Sequence, residues 1–220
     1  MRRIVVAAAV DTIAPRRVVL LPGAYQEPED FLQAGFADAV RARGLALDLE
    51  FIAPQLAHLL DRSMLDALES EVIAPARAAG CRELWLGGVS LGGFFALTYA
   101  EQRVATLDGL CLLAPYLGNR TITGELAAAG GLRRWQPGRI AADDEERRIW
   151  AFIQRLAASG VNVYLGLGNR DRFGNGHGLF ADVLPLNSVE IVEGGHDWPA
   201  WRQLWDRFLD RLSSPSGFMP

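Results

Sequence analysis

Strand-like apolar runs alternate with helical patterns along almost the whole sequence, and this alternation constrains the fold more than any other feature. Val18–Leu21, Leu45–Ala53 and Leu107–Ala114 have the pattern of buried strands. Glu29–Arg43 carries apolar side chains at the spacing of one helix face and is followed by glycine. Strands that alternate with helices in this way typically pair in parallel. The sequence therefore predicts an α/β fold, with a mostly parallel central sheet and helices on both of its faces.

The same patterns locate the remaining elements. A helix is predicted from Ser63 to about Ala79, with a kink at Pro75, because proline cannot donate the helical hydrogen bond. The other predicted elements are helices at Asp143–Ala158, Gly178–Leu184 and Pro199–Leu212 and strands at Val161–Leu167 and Val189–Val192. Leu117–Ala142 breaks the alternation and is predicted to be a long loop or a short lid. Without an internal repeat or low-complexity segment, residues 1–220 are predicted to form a single domain.

Composition narrows the class of protein and of partner. Half of the residues are apolar and 22% are charged, as in ordinary folded globular proteins. The 22 basic and 26 acidic residues give a net charge of −4. Because general nucleic-acid binding needs a basic surface, this balance argues against a nucleic-acid partner.

The two cysteines, Cys81 and Cys111, are too few for a disulfide framework, so we expect a reducing compartment, the cytoplasm. Met1–Val10 contains two arginines and a short apolar run, as signal peptides do, but Asp11 ends the run and an opening strand is predicted. No apolar stretch approaches the ~18 residues of a membrane span.

Ser90 lies in Gly88-Val89-Ser90-Leu91-Gly92, where a predicted strand meets a predicted helix. The strand is Glu83–Gly87 and the helix is Leu91–Arg103. A serine on so sharp a turn has a strained backbone and an exposed hydroxyl at the helix N-terminus. Side chains two residues to either side would collide across the turn, which accounts for the two glycines. The pattern is typical of a nucleophilic serine.

A serine nucleophile needs a base, usually a histidine, and the chain has three. His196 follows the last predicted strand, at the sheet edge where open α/β sheets build their sites, and two glycines precede it. His177 lies on a glycine-rich segment near the same edge and is the alternative base, and His58 follows the strand that ends at Pro54. His196 is the predicted base.

Asp171 is the predicted acid that orients the base, because it directly follows the buried strand before the histidine strand. Asp108 lies at the wrong end of its strand, and the acidic residues 143–146 fit the first turn of a helix. The alternative for Asp171 is a surface carboxylate paired with Arg170 or Arg172.

The chain order Ser90, Asp171, His196, with the serine on a Gly-x-Ser-x-Gly turn, resembles that of the α/β-hydrolase superfamily. The resemblance runs from about Val18 to Leu212 and implies the α/β-hydrolase fold. It also implies an oxyanion hole, in which one donor is the N–H of the residue after the nucleophile, here Leu91. The second donor falls on the loop after Val18–Leu21, where we expect Ala24, with Tyr25 as the alternative. Many relatives have His-Gly in this loop, whereas this chain has Pro22-Gly23.

The resemblance implies a serine hydrolase that cleaves a carboxylic ester through an acyl-enzyme, with neither a metal nor an organic cofactor. Ser90 attacks the acyl carbonyl, His196 takes the serine proton, and Asp171 holds the imidazole. A small-molecule ester is the expected substrate because esterase-like activities are the commonest in the family. A thioester would use the same machinery.

Two other classes of function remain open at this point. In an acyltransferase an alcohol or amine replaces water in the second step. A non-catalytic binding protein can share the fold, since fold alone does not fix function. The complete set of serine, histidine and aspartate speaks against the latter.

Tyr25, Tyr116 and His177 are further candidates for the substrate pocket. Trp198, Trp201 and Trp205 repeat at helical spacing, so we expect them to face the core rather than a ligand.

Overall fold

The apolar runs form one seven-stranded sheet in this computed structural model, which describes residues 1–8, 14–55, 57, 58, 63–214 and 218. The strands are β1 (Arg2–Val6), β2 (Arg16–Leu21), β3 (Leu47–Ala53), β4 (Glu83–Val89), β5 (Gly109–Leu113), β6 (Asn162–Gly168) and β7 (Val189–Val192). They lie in the order β1-β3-β2-β4-β5-β6-β7. β1 is antiparallel to β3 and every other pair is parallel. The predicted mostly parallel sheet is confirmed.

The described part of the chain contains nine α-helical segments, of which the last follows β7 and the others lie between strands. They are α1 (Pro28–Gln33), α2 (Phe36–Ala42), α3 (Met64–Leu68), α4 (Ala74–Ala78), α5 (Leu91–Arg103), α6 (Arg120–Ala128), α7 (Glu145–Leu156), α8 (Gly174–Ala181) and α9 (Trp198–Ser213). Short 3₁₀ turns occur at Val104–Thr106, Leu132–Arg134 and Leu186–Ser188. No helix among the described residues has the length and apolar character needed to cross a membrane.

Both faces of the sheet are covered by helices, as predicted. Neighbouring side chains of β2 alternate between the two sides: Val18 and Leu20 join one core cluster, Val19 and Leu21 the other. α1, α2 and α9 contribute to the first cluster, and the helical segments from α3 to α8 to the second. Because strands buried on both faces are apolar at nearly every position, they are easy to find in the sequence.

The helix predicted at Glu29–Arg43 is two helices, α1 and α2. The chain turns at Gly35, whose φ of 77° is in the left-handed region that glycine adopts readily. The break lets Phe31 and Phe36 meet edge to face, with ring centroids 5.1 Å apart. Both arrangements bury the same phenylalanines, so the apolar spacing does not distinguish one helix from two.

The helix predicted to kink at Pro75 instead contains a widened turn. Glu69–Ile73 forms a π-helical turn between α3 and α4. Pro75 then lies in the first turn of α4, where its missing N–H costs little. The extra residue in the turn accommodates the proline and keeps the segment helical to Ala78.

Two further segments differ from expectation. The helix predicted at Gly178–Leu184 begins earlier, at Gly174, and ends at Ala181. Its glycine-rich start disfavours a helix by propensity, and burial of Phe180 offsets this. Leu117–Ala142 contains α6 and a 3₁₀ turn, and its residues Ile122, Leu126, Leu132 and Trp135 are buried in the core. Its role as a lid stays a prediction.

The carboxyl ends of β4, β6 and β7 lie at one edge of the sheet, since these strands are parallel. Ser90 directly follows β4, Asp171 follows β6, and His196 follows β7. The topology therefore brings three residues that are far apart in sequence to one edge.

Candidate active site

Ser90 has the strained backbone that its position between β4 and α5 predicts. Its φ is 51° and its ψ is −116°, a backbone conformation that residues other than glycine rarely adopt. The Ser90 N–H donates to the Leu113 carbonyl at 3.1 Å, and the Ser90 carbonyl accepts from the Tyr116 N–H at 2.8 Å. Both backbone groups are thus held by the last residue of β5 and the segment that follows it. Strain of this kind persists only where the surroundings over-determine it, and it occurs most often at functional sites.

The glycines on either side of Ser90 are required by close backbone contacts. A Cβ atom on Gly88 would lie 2.4 Å from the Leu21 carbonyl oxygen, and one on Gly92 would lie 2.0 Å from the same atom. No side chain fits at these distances. A Cβ atom on Gly88 would also lie 2.7 Å from the Gly92 carbonyl carbon, so the collision across the turn that the sequence predicts is present, and a second one occurs with β2, the strand beside the turn.

Three predicted partners form one chain of hydrogen bonds. His196 Nε2 lies 2.8 Å from Ser90 Oγ, and His196 Nδ1 lies 2.8 Å from Asp171 Oδ2. An ionised carboxylate only accepts, so Nδ1 carries the ring proton and Nε2 is free to accept from the serine hydroxyl. This arrangement can transfer the hydroxyl proton to the ring and stabilise the charge that results.

Asp171 is buried, and its other oxygen also has a partner. Oδ1 accepts a hydrogen bond from the Phe173 N–H at 2.8 Å. Burial raises the pKa of Asp171, but the hydrogen bonds from the His196 ring and the Phe173 N–H, with a smaller electrostatic contribution from the two nearby histidines, lower it by more. The pKa therefore lies below the usual range for aspartate, and the carboxylate is ionised at neutral pH. The surface pairing considered for Asp171 does not form, because Asp171 is buried against His196. Arg170 instead pairs with Glu193, and the Arg172 guanidinium lies over the Phe173 ring.

Two aromatic rings that the sequence did not assign to the site hold the His196 ring. Phe173 and Trp201 both meet it edge to face, with centroids 4.9 Å and 5.1 Å away. Trp201 is buried, and its Nε1–H has no hydrogen-bond partner among the described residues. The other tryptophans of the stripe, Trp198 and Trp205, pack against Phe36 as expected. The signal for Trp201 in the sequence is its position in the first turn of α9, the helix that begins two residues after His196.

The predicted oxyanion loop lies against the serine. A Cβ atom on Gly23 would lie 3.3 Å from Ser90 Cβ. Gly23 and Gln26 close a turn through the Gln26 N–H and the Gly23 carbonyl, 3.3 Å apart. The N–H groups of Ala24 and Leu91 have no acceptor among the described residues, which leaves both available to a ligand. Their role as oxyanion donors stays a prediction.

The three candidate pocket residues lie in different surroundings. Tyr25 has a fully exposed ring and a φ of 61°. Tyr116 is half-buried and lines an open groove of about 780 Å³ together with Phe94 and the acidic residues 143–146. Its hydroxyl donates to Glu146 at 3.1 Å, and burial and the Glu146 charge raise the pKa of Tyr116 to about 12.

His177 and His58, the other histidines, do not contact Ser90. His177 is buried, and its Nε2 lies 3.0 Å from the Pro115 carbonyl. The His177 side chain exposes almost no surface to a ligand, and its place in the substrate pocket stays a prediction. His58 Nδ1 accepts from the Gln55 N–H at 3.3 Å, away from the serine.

The comparisons with known proteins agree with the fold. Residues 18–220 match the model of the alpha/beta hydrolase family. Similar solved structures include a fluorophosphonate-binding serine hydrolase of Staphylococcus aureus, with a TM-score of 0.62 and 12% identity over 94% of this chain and 90% of that one. A carboxylesterase of Nitrososphaera gargenis gives a TM-score of 0.60 and 14% identity, over 96% of this chain and 93% of that one.

An S-formylglutathione hydrolase of Staphylococcus aureus gives a TM-score of 0.58 and 13% identity, over 90% of this chain and 82% of that one. At such identities the likeness is one of fold. No curated protein sequence matches the chain. The family model, however, extends from β2 through the last helix and includes every residue of the candidate site. The chain is therefore a member of the alpha/beta hydrolase family.

Proposed function

We propose that this protein is a serine hydrolase that cleaves a small-molecule carboxylic ester through an acyl-enzyme. The observation that carries the proposal is the continuous hydrogen-bond chain from Ser90 through His196 to Asp171, with both links at 2.8 Å. A serine that only packs in a core needs neither a strained backbone nor a histidine and a carboxylate in line with its hydroxyl.

In the first step Ser90 Oγ attacks the acyl carbonyl, and its proton passes to His196 Nε2. The carbonyl oxygen becomes negative and accepts hydrogen bonds from the Leu91 and Ala24 N–H groups, with the Tyr25 N–H as the alternative to Ala24. Loss of one such donor typically costs about 10²–10³ in rate. The bond between the acyl carbon and the alcohol oxygen then breaks, and His196 donates the proton to the leaving alcohol. The acyl group stays on Ser90.

In the second step His196 takes a proton from water, and the resulting hydroxide attacks the acyl-enzyme. The same N–H donors bind the second oxyanion. Its collapse breaks the ester bond to Ser90, which recovers its proton from His196, and the carboxylic acid leaves. Asp171 stays ionised throughout and stabilises the charged imidazole, consistent with its lowered pKa.

The ester is the first choice of substrate and the thioester the second. Solved structures of this fold are described as those of carboxylesterases and of an S-formylglutathione hydrolase. Both kinds of substrate present the same acyl carbonyl to Ser90. The net charge of −4 argues against a nucleic-acid partner, and the two cysteines, too few for a disulfide framework, support a cytoplasmic location.

Pre-steady-state hydrolysis of p-nitrophenyl acetate tests the two-step scheme. We expect a burst of one p-nitrophenolate per protein, followed by slower turnover, because the acyl-enzyme accumulates with an activated ester. Ser90→Ala should show no burst, and its kcat should be at least about 10³-fold lower than that of the wild type. Turnover without a burst that survives in Ser90→Ala would refute the scheme.

A panel of p-nitrophenyl esters and acyl thioesters of graded chain length then ranks the substrate classes by kcat/KM. We expect esters to lead. Added alcohols or amines should not divert the acyl group. Product that partitions mainly to such an acceptor would instead indicate an acyltransferase.

A further inference from the structure

The buried second histidine, His177, has a place in the site that the reaction scheme leaves unexplained. It is 2% exposed and donates through Nε2 to the Pro115 carbonyl at 3.0 Å. A carbonyl oxygen only accepts, so this bond fixes the proton on Nε2. Nδ1 is then an acceptor, and it is buried without a partner among the described residues. A buried polar ring with one nitrogen unpaired is costly, so its presence calls for a reason.

The acceptor of that bond belongs to the segment that holds the nucleophile. Residues 113–116 bind both backbone groups of Ser90, through the Leu113 carbonyl and the Tyr116 N–H. Within this segment Ala114 has a φ of 47°, a strained value for alanine. Pro115 also packs closely on the first turn of α5, since a Cβ atom on Gly93 would lie 2.8 Å from Pro115 Cβ. The strained turn at Ser90 is thus supported by a second strained turn.

His177 itself belongs to the part of the chain that holds the acid. It lies in the first half of α8, and its N–H donates to the Phe173 carbonyl at 3.1 Å. The Gly174 N–H donates to the Asp171 carbonyl at 3.0 Å, and the Phe173 N–H binds the Asp171 side chain. The acid loop and the start of α8 therefore form one hydrogen-bonded unit.

We propose that His177 is a positioning residue, whose hydrogen bond to Pro115 fixes the support of the Ser90 turn relative to the loop that carries Asp171 and thereby His196. The proposal rests on the proposed function. It assigns the two histidines at this edge of the sheet different tasks: His196 moves the proton, and His177 sets the distance over which the proton moves.

The charge state of His177 is consistent with this task. Burial lowers the pKa of His177 below the usual range, although the Asp171 carboxylate favours its charged form. A neutral His177 leaves the negative charge of Asp171 to stabilise the imidazolium of His196. Its Nε2 is already bound and its ring is out of contact with Ser90, so it does not act as an alternative base.

Three variants separate positioning from simple stability. His177→Leu removes the donor, and His177→Gln keeps an N–H at a similar reach. Tyr164→Phe is the matched control, because the Tyr164 hydroxyl is also buried and donates to a backbone carbonyl, that of Leu204 at 2.7 Å, on the other side of the sheet.

We expect His177→Leu to lower kcat about 10- to 100-fold with KM nearly unchanged, because small misplacements of reacting groups cost this much. The rate of Ser90 modification by a fluorophosphonate should fall in parallel. His177→Gln should restore most of both rates. Tyr164→Phe should lower the melting temperature and leave kcat as in the wild type. If His177→Leu does not fold, His177→Phe, which keeps a ring without the donor, takes its place.

Wild-type kcat in a folded His177→Leu or His177→Phe protein would overturn the proposal, and so would a His177→Gln variant as slow as His177→Leu. A crystal structure of the donor-less variant gives a readout independent of activity. We expect the distance from Ser90 Oγ to His196 Nε2 to exceed about 3.2 Å, the usual limit of a hydrogen bond. An unchanged distance would contradict the positioning role, even if the wild type proved to have no esterase activity.

Discussion

Phe173 contacts two members of the candidate site at once. Its N–H binds the Asp171 carboxylate at 2.8 Å, and its ring packs edge to face on the His196 ring. The acid and the base are therefore held by a shared neighbour as well as by each other. Such support keeps the geometry in place before a substrate arrives, which is what electrostatic preorganisation requires.

At the residue scale, Asp171→Asn should abolish most activity while leaving the fold intact. The asparagine amide would donate to His196 Nδ1 and force the ring proton onto Nε2, which then cannot accept from Ser90. We expect kcat to fall about 10³- to 10⁴-fold. Steady-state hydrolysis of p-nitrophenyl acetate measures it, and circular dichroism serves as the control for folding. A variant with more than a tenth of the wild-type kcat would show that Asp171 is not the orienting acid.

The same variant gives a prediction for the pH dependence of stability. Because the pKa of Asp171 is lowered in the folded protein, its carboxylate contributes stability that is present above the unfolded-state pKa and is lost as the pH falls through the folded-state value. Below about pH 4 the wild type should therefore lose stability relative to Asp171→Asn, as measured by the free energy of unfolding of each protein. Urea unfolding at several pH values measures this difference. A difference that stays constant, or moves the other way, would contradict the lowered pKa.

Tyr25 gives the third prediction at this scale. It occupies a left-handed position in the turn closed by Gly23 and Gln26, and its exposed ring adds no packing. Tyr25→Gly should raise the free energy of unfolding by up to about 1 kcal/mol, because glycine adopts this conformation without strain. Tyr25→Ala keeps the strained φ and is the control, with no expected gain. If the ring contacts substrate, both variants should raise KM for aryl esters. A destabilised Tyr25→Gly protein would show that the ring has a structural role.

At the scale of elements, most strand bounds could be predicted to within about two residues, and so could the bounds of the long helices α5 and α9. The interruptions within the other predicted helices could not. β6 differs from its predicted range by one residue at each end, because burial on both faces makes its sequence apolar throughout. The break at Gly35 and the π turn at Glu69–Ile73 have no comparable pattern of apolar residues in the sequence. In both cases the apolar spacing fits a continuous helix equally well. The packing of these helices against the sheet decides whether the chain forms one continuous helix or an interrupted one.

The same contrast holds for the candidate site. Ser90, Asp171 and His196 could be predicted as partners because strand order alone brings their loops to one edge. The ring contacts of Trp201 and the bond from His177 to Pro115 could not. They depend on how α8 and α9 pack, which the spacing of residues along the chain does not determine.

Two glycine substitutions test the account of the turn at Ser90. Gly92→Ala would place a Cβ atom 2.0 Å from the Leu21 carbonyl oxygen, so β2 or α5 must move. We expect a loss of about 3 kcal/mol in the free energy of unfolding, or failure to fold. Gly124→Ala, in the exposed middle of α6 with open space around it, is the control and should gain about 0.5–1 kcal/mol. Chemical denaturation of both variants provides the comparison, and a neutral Gly92→Ala would mean that the turn is looser than described.

At the scale of the whole molecule, one sheet with a core cluster on each face should unfold as one unit. Trp150 belongs to one cluster and Trp205 to the other, so tryptophan fluorescence reports on both. We expect fluorescence and far-ultraviolet circular dichroism to give the same urea midpoint. Two separate midpoints would contradict a single domain over residues 1–220.

The central claim is that Ser90 is a nucleophile activated by its neighbours in the folded protein. Incubation of the native protein with a fluorophosphonate probe, followed by peptide mapping, tests it most directly. We predict one label on Ser90, and none on Ser90→Ala or on the urea-unfolded wild type. A folded wild-type protein that takes up no label, or a Ser90→Ala variant labelled as fast as the wild type, would contradict the claim.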